Sequence, residues 1–124
     1  MQPAAPKWGI SLEEPRVKAS VWVSAQIRTC GLLTLPAVVR RRGDPDAGSI
    51  LIRLDRLDGT SIVMSQSRDA EGRQVWLMRN DALPMPDPDV EEYLQRRIKS
   101  DPDIWILEIE DRDGRYQPDA PVIT

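Results

Sequence analysis

The chain predicts an α+β domain: an N-terminal helix, a four-stranded antiparallel meander, a second helix and a fifth strand, together forming a strongly bent sheet. Three observations carry this. Ile50, Ile52 and Leu54 alternate with Leu51, Arg53 and Asp55, the period-two signature of a strand. Turn signals recur at Gly43–Gly48, Asp58-Gly59 and Asp69–Gly72, so the runs between them are short. Val90, Leu94 and Ile98 repeat at intervals of four, which places them on one helix face.

The length of 124 residues fits one domain, large enough to bury about two-thirds of the surface that its unfolded chain exposes. Residues 1–16, with Pro3, Pro6 and Pro15 and no hydrophobic period, read as a flexible arm carrying Trp8 and Ile10. The domain proper covers residues 17–112. Val21, Trp22, Ala25, Thr29 and Leu32 recur at helical spacing, although Val21, Val23, Ala25 and Ile27 would equally make one face of a strand. Gly31 suits a helix C-terminus, which favours a helix from about Lys18 to Thr29 with Trp22 and Cys30 turned to the core.

Val38–Leu54 reads as the nucleating hairpin, its first strand (Ala37–Arg42) a candidate exposed edge. Ile62–Met64 and Gln74–Arg79 supply the third and fourth strands. Asp87-Pro88-Asp89 opens the second helix, with Asp87 as the capping side chain and Pro88 at the first helical position. Glu92 and Arg96 can pair one turn apart on its polar side. Pro102 ends it, because a residue before proline avoids the helical region. Asp103–Glu110 is the fifth strand. Its Trp105, Leu107 and Ile109 face one way and Ile104 and Ile106 the other, which places it inside the sheet. Residues 113–124, polar and containing Pro118 and Pro121, read as a flexible tail.

Composition narrows function. The chain has no histidine, which removes the commonest general base at neutral pH and the His-dependent serine and cysteine hydrolases. One cysteine cannot form an internal disulfide and fits a reducing compartment, the cytoplasm. No apolar run is long enough to cross a bilayer, so no membrane association is expected. The net charge of −3 is unevenly spread. Residues 1–56 carry nine Lys/Arg against five Asp/Glu, and residues 84–124 five against eleven. Such asymmetry suits a basic binding face, head-to-tail self-association, or no function at all, since a folded chain can place both halves on every side.

Four residues form the candidate partner or nucleic-acid site: Arg40, Arg41, Arg42 and Asp44. Guanidinium groups grip phosphates through charge-assisted bonds. Strict alternation, however, sends Arg40 and Arg42 to one face and Arg41 to the other. Asp-Pro-Asp occurs at 44–46, 87–89 and 101–103, each where a turn or cap is required. Carboxylate chemistry would need Asp101 and Asp103, or Asp44 and Asp46, to converge. Trp22, Trp76 and Trp105 read as core residues. No catalytic, cofactor or metal-ligating set emerges.

Three segments, Ala19-Ser20-Val21-Trp22-Val23-Ser24-Ala25 with Arg28, Arg42-Gly43-Asp44 with Ala47-Gly48, and Asp101–Asp111 (DPDIWILEIED), resemble a family of small alphaproteobacterial proteins, domain of unknown function 1491. The resemblance spans about Lys18 to Asp111. It implies a small cytosolic bacterial protein whose fold is similar to the Sm-like small barrel, here partly open, and it brings no catalytic residues with it, none being established for the family. One feature departs from that pattern: a long helix stands between the fourth and fifth strands, where Sm proteins have a short connection. The resulting expectation is a non-catalytic protein-interaction or self-associating domain, binding a protein partner or a second copy. The alternatives are an Sm-like module that binds RNA, and a carboxylate-dependent enzyme.

Overall fold

Leu51 and Ile52 are consecutive residues of one strand and both are fully buried. Neighbours on a strand point to opposite faces, so the sheet must be covered on both sides. The computed structural model describes residues 17–124 and shows a helix on each face; the N-terminal arm expected over residues 1–16 lies outside the described residues. In chain order the elements are α1 (Ala19–Leu32), β1 (Ala37–Arg41), β2 (Ile50–Asp55), β3 (Thr60–Arg68), β4 (Gln74–Met78), β5 (Met85–Pro86), α2 (Asp87–Ser100), β6 (Trp105–Glu110) and β7 (Val122–Ile123).

Two cores result. On one side Trp22, Val23 and Cys30 of α1 pack over Ile50, Ile52, Leu54, Met64, Trp76, Trp105, Leu107 and Ile109. On the other, Val90, Tyr93 and Leu94 of α2 cover Leu51, Val63, Ile104 and Ile106. Each such side chain contributes about 1.5–3 kcal/mol through burial. The core assignments of Trp22, Trp76, Trp105 and Cys30 therefore hold.

The strand order is β1-β6-β2-β3-β4-β7, with the short β5 paired to the start of β3. This corrects the four-stranded meander. Only β2, β3 and β4 form one; β6 lies between β1 and β2, antiparallel to the first and parallel to the second. Leu107 thus has Val39 on one side and Ile52 on the other. The physical reason is apolar content. Strand β6 is hydrophobic on both faces and needs the doubly covered centre, whereas β1 runs into Arg40 and Arg41 and tolerates only the margin. The sheet is mixed and open, ending in β1 and β7, so the Sm-like barrel is not formed.

Both helix ends differ from their sequence signals. Helix α1 runs through Gly31 and closes one turn later. Leu35 N–H bonds to Cys30 O at 2.8 Å and Thr34 N–H to Gly31 O at 3.1 Å, the two bonds of a Schellman motif. Thr34, not a glycine, takes the left-handed conformation (φ 56°). At the other end Asp87 makes no cap bond. Its carboxylate turns instead to Ser61 and Arg53, and Pro86 takes the cap position. The Glu92–Arg96 pair is present at 3.8 Å.

The start of α1 is capped from a distance. Ala19 N–H bonds to Asp46 O (3.2 Å) and Ser20 N–H to Pro45 O (2.9 Å), satisfying donors that the helix itself leaves open. The expected tail is also held in place. Fully buried Asp111 accepts the backbone N–H of Arg115 at 2.7 Å and of Tyr116 at 2.9 Å, and Arg56 sits 3.3 Å from its carboxylate. Tyr116 is buried and its hydroxyl donates to Gln26. Beyond it, β7 pairs in parallel with β4. The tail carries its own anchors, and their partners come from elements distant in sequence.

Candidate functional site

The arginine run sits at the free margin of the sheet, and the fold gives each residue a separate task. A bulge interrupts the β1–β6 register between Val39 and Arg41. It resets the alternation, so Arg40 and Arg41 both lie on the α2 side; the strict period placed Arg40 with Arg42. Arg40 bonds to Glu91 and, at 2.9 Å, to Glu108. Arg41 donates to the carbonyls of Pro102 (2.8 Å) and Ile104 (2.9 Å). Arg42 lies on the other side, 5.1 Å from the centre of the Trp105 ring.

Asp44 shapes the turn that follows. Its Oδ2 accepts the N–H of Asp46 (3.2 Å) and Ala47 (2.8 Å), its N–H bonds to Asp103 O (3.0 Å), and its carbonyl accepts Trp105 Nε1–H (2.7 Å). Gly43 and Gly48 press so closely on the Asp103 carbonyl that a Cβ at either would collide with it. Asp101 accepts Ser49 Oγ–H and the N–H of Asp103. These aspartates organise loops. They do not converge on a common point, and among the described residues no group of three or more Asp, Glu, Cys or His is placed to hold a metal.

Arg53 is the centre of a second charged group, beneath α2. Only 8 % exposed, it reaches Asp87 (2.9 Å), Glu91 (2.8 Å) and Glu108 (3.1 Å), and donates through Nε to Ser61 Oγ at 3.0 Å. Burial alone would lower its pKa, but the bonds to Asp87 and Glu108 outweigh burial and raise it. The Arg40 bond holds Glu91 below the usual glutamate range, with Arg53 adding to the effect. Every charge here is matched by a neighbour, so the group ties α2 to the sheet and leaves no acid or base free for chemistry. Cys30 is equally quiet: burial, then the nearby Asp111 charge, pushes its thiol pKa up, away from a reactive thiolate.

A cleft of about 910 Å³ opens between the start of α1, the 46–49 loop and the β3–β4 turn. Most of its charged side chains have partners within the fold. Asp119 takes the indole N–H of Trp22 and Trp76, Gln66 accepts Ile50 N–H, Arg68 donates to Gly72 O, and Arg73 pairs with Asp69 and Glu71.

Two surface features remain. Strand β1 ends the sheet, with Val38 59 % exposed on the α2 side; Leu32, 82 % exposed, and Leu33 stand at the end of α1 on the opposite side. Sequence reasoning identified this edge. It missed the second feature, because one of the residues comes from a different element. Tyr93 gathers three guanidinium groups around its ring: Arg79 at 4.1 Å, Arg97 at 5.7 Å and Arg96 at 5.9 Å from the centroid. The only sequence signal was Tyr93 standing three and four residues before Arg96 and Arg97.

Residues 17–117 match the model of a family described as "Protein of unknown function (DUF1491)". The chain belongs to the DUF1491 family. The resemblance read from the sequence is therefore borne out. The crystal structure of a DUF1491 family protein from Caulobacter crescentus CB15 is 37% identical, covers 87% of this chain and 100% of its own, and superposes with a TM-score of 0.78. An NMR structure of a DUF1491 family protein from the same organism gives 35% identity, 90% and 100% coverage and a TM-score of 0.75. A solution structure of an A. tumefaciens protein is similar at 25% identity, with 86% and 100% coverage and a TM-score of 0.68. No curated protein matches the chain. No helix among the described residues is long and apolar enough to cross a membrane.

Proposed function

We propose that this DUF1491 protein is a non-catalytic interaction domain that self-associates through the free edge of β1. The observation that carries the reading is the terminal position of β1, flanked by the exposed side chains of Val38 on one face and Leu32 on the other. A strand added there meets open backbone groups and apolar contacts on both sides. The opposite margin, β7, is only two residues long and offers too little to template pairing.

A second copy is the partner that this edge suits. An antiparallel edge is complementary to itself about a two-fold axis. Arginines near such an axis would normally repel, but Arg40 is neutralised by Glu91 and Glu108 within its own chain, and Arg41 is held on carbonyls. Pro36 and the Arg40 bulge limit regular pairing to Ala37–Val39, which favours a closed dimer over a growing fibre. Buried, unpaired Cys30 fits the cytoplasm as the compartment. The RNA-binding alternative is weakened because Arg40 is tied to Glu91 and Glu108 and Arg41 to backbone carbonyls, which leaves exposed Arg42, beside Trp105 on the other face, as a lone cation. The enzyme alternative rested on Asp44, Asp46, Asp101 and Asp103, among which Asp44 and Asp101 bond to loop groups, and the carboxylates that do gather, Asp87, Glu91 and Glu108, are held by Arg53.

Sedimentation velocity over a range of concentrations tests the reading. Wild-type protein should show a concentration-dependent dimer, and Val38→Lys, which places a charge on the edge, should be monomeric with unchanged melting temperature. Wild-type protein that stays monomeric throughout refutes self-association.

A further inference from the structure

We infer that the three arginines around Tyr93 form a binding site for a compact phosphate-class oxyanion, either a free phosphate or pyrophosphate or the phosphate end of a small metabolite. Arg79 follows β4, while Arg96 and Arg97 belong to the end of α2, so the tertiary fold is what brings three like charges to one ring. Tyr93 is buried, and its ring is the fixed plate against which they rest.

Charge balance separates this cluster from the Arg53 group. There, two arginines face three carboxylates. Here, among the described residues, neither Arg79 nor Arg97 has a carboxylate oxygen within ion-pair distance, and Arg96 has only the exposed Glu92 at 3.8 Å. Cation–π contact with one ring offsets part of the mutual repulsion. A multivalent anion would neutralise it.

The donors are also uncommitted. Arg97 uses one N–H on the Tyr93 hydroxyl oxygen at 2.6 Å, which leaves that hydroxyl's own O–H free to donate. The remaining guanidinium N–H groups present the planar forks that match a phosphate edge-on. Leu77, two residues before Arg79 on the same face of the sheet, is 37 % exposed and pairs in register with Ile123, also exposed. That apolar shelf would carry the organic body of a phosphorylated ligand. The three guanidinium groups lie 4.1–5.9 Å from one ring centre, a compact group and not a track. A compact anion therefore fits them better than a nucleic-acid backbone, which needs charges spaced along its length.

The test is a titration of the full chain followed through its arginine Nε–H resonances by NMR. The probes are inorganic pyrophosphate, ADP, sulfate and a single-stranded oligouridine. Saturable shifts confined to Arg79, Arg96 and Arg97 with pyrophosphate or ADP, at concentrations where sulfate has no effect, are expected. Tighter binding of ADP than of pyrophosphate identifies a phosphorylated metabolite resting on Leu77; equal binding identifies phosphate alone. Arg79→Met and Arg97→Met should each weaken binding about tenfold or more, the worth of a charge-assisted bond. Arg79→Lys, which keeps the charge but loses the fork, should fall between them and wild type. Arg28→Met on α1 should leave binding unchanged, and melting temperatures report that each variant is folded. No shift with either phosphate probe, an equal response to sulfate, or a response to oligouridine alone overturns the proposal.

Discussion

Trp22 and Trp76 share one carboxylate. Trp22 Nε1 donates to Asp119 Oδ2 at 2.7 Å and Trp76 Nε1 to Asp119 Oδ1 at 3.2 Å, with the two rings 5.4 Å apart. Helix α1, strand β4 and the C-terminal segment are thereby joined at one group.

Removing that group should strand two indole donors at once. Asp119→Ala is expected to cost about 1–3 kcal/mol in denaturant unfolding. Asp119→Asn, which keeps one oxygen acceptor, should cost less. Equal stability of Asp119→Ala and wild type would show that the clasp contributes nothing. Tryptophan fluorescence of the folded variant should shift to the red as the C-terminal segment loosens.

Acid should weaken the tie between α2 and the sheet. The pKa of Glu91 is depressed in the folded protein by Arg40 and Arg53. Its contribution is therefore complete above the ordinary glutamate value of about 4.3 and is lost as pH falls through the lower folded value. Because its side chain is partly exposed, the effect should be about 1 kcal/mol or less. The denaturation midpoint of wild type should fall with acid below that ordinary value, and Glu91→Gln should show a shallower fall. Parallel pH profiles for the two proteins would rule this out.

Two glycines should respond to alanine in opposite directions. At Gly48 a methyl group meets the Asp103 carbonyl, so Gly48→Ala should destabilise by about 1–3 kcal/mol. At Gly31, within α1, nothing lies within 4 Å of the added atom, so Gly31→Ala should stabilise by about 0.5–1 kcal/mol through helix entropy. Thermal melts of the pair decide both.

Much of the fold was readable from residue order. The two helices, the alternation of β2 and the two-sided apolarity of β6 follow from local spacing, and each was placed within a few residues. The β1–β2 hairpin was misread for an equally physical reason. A Gly- and Asp-rich turn between two β-prone runs is a hairpin signal locally, and nothing within Val38–Leu54 records that a strand fifty residues later will intervene. The fate of Arg40–Arg42 was hidden behind one bulge, which alters the parity that strict alternation assumes. Asp87 carried a cap signature, yet its carboxylate does more for a buried guanidinium than for an exposed helix end.

By itself, then, the sequence determined what is local: element type, the faces each element presents, the loops that need glycine, and the absence of histidine chemistry. Tertiary structure alone decided strand order, the open sheet, the anchoring of the C-terminal segment by Asp111 and Asp119, and the gathering of Arg79, Arg96 and Arg97 at Tyr93. The reason is the range of the interactions. Periodicity and turn chemistry act over a few residues, whereas the Trp22–Asp119 bond spans 97 positions and the Arg53–Glu91 bond 38. Such partners are chosen by which surfaces the packed helices and sheet bring together.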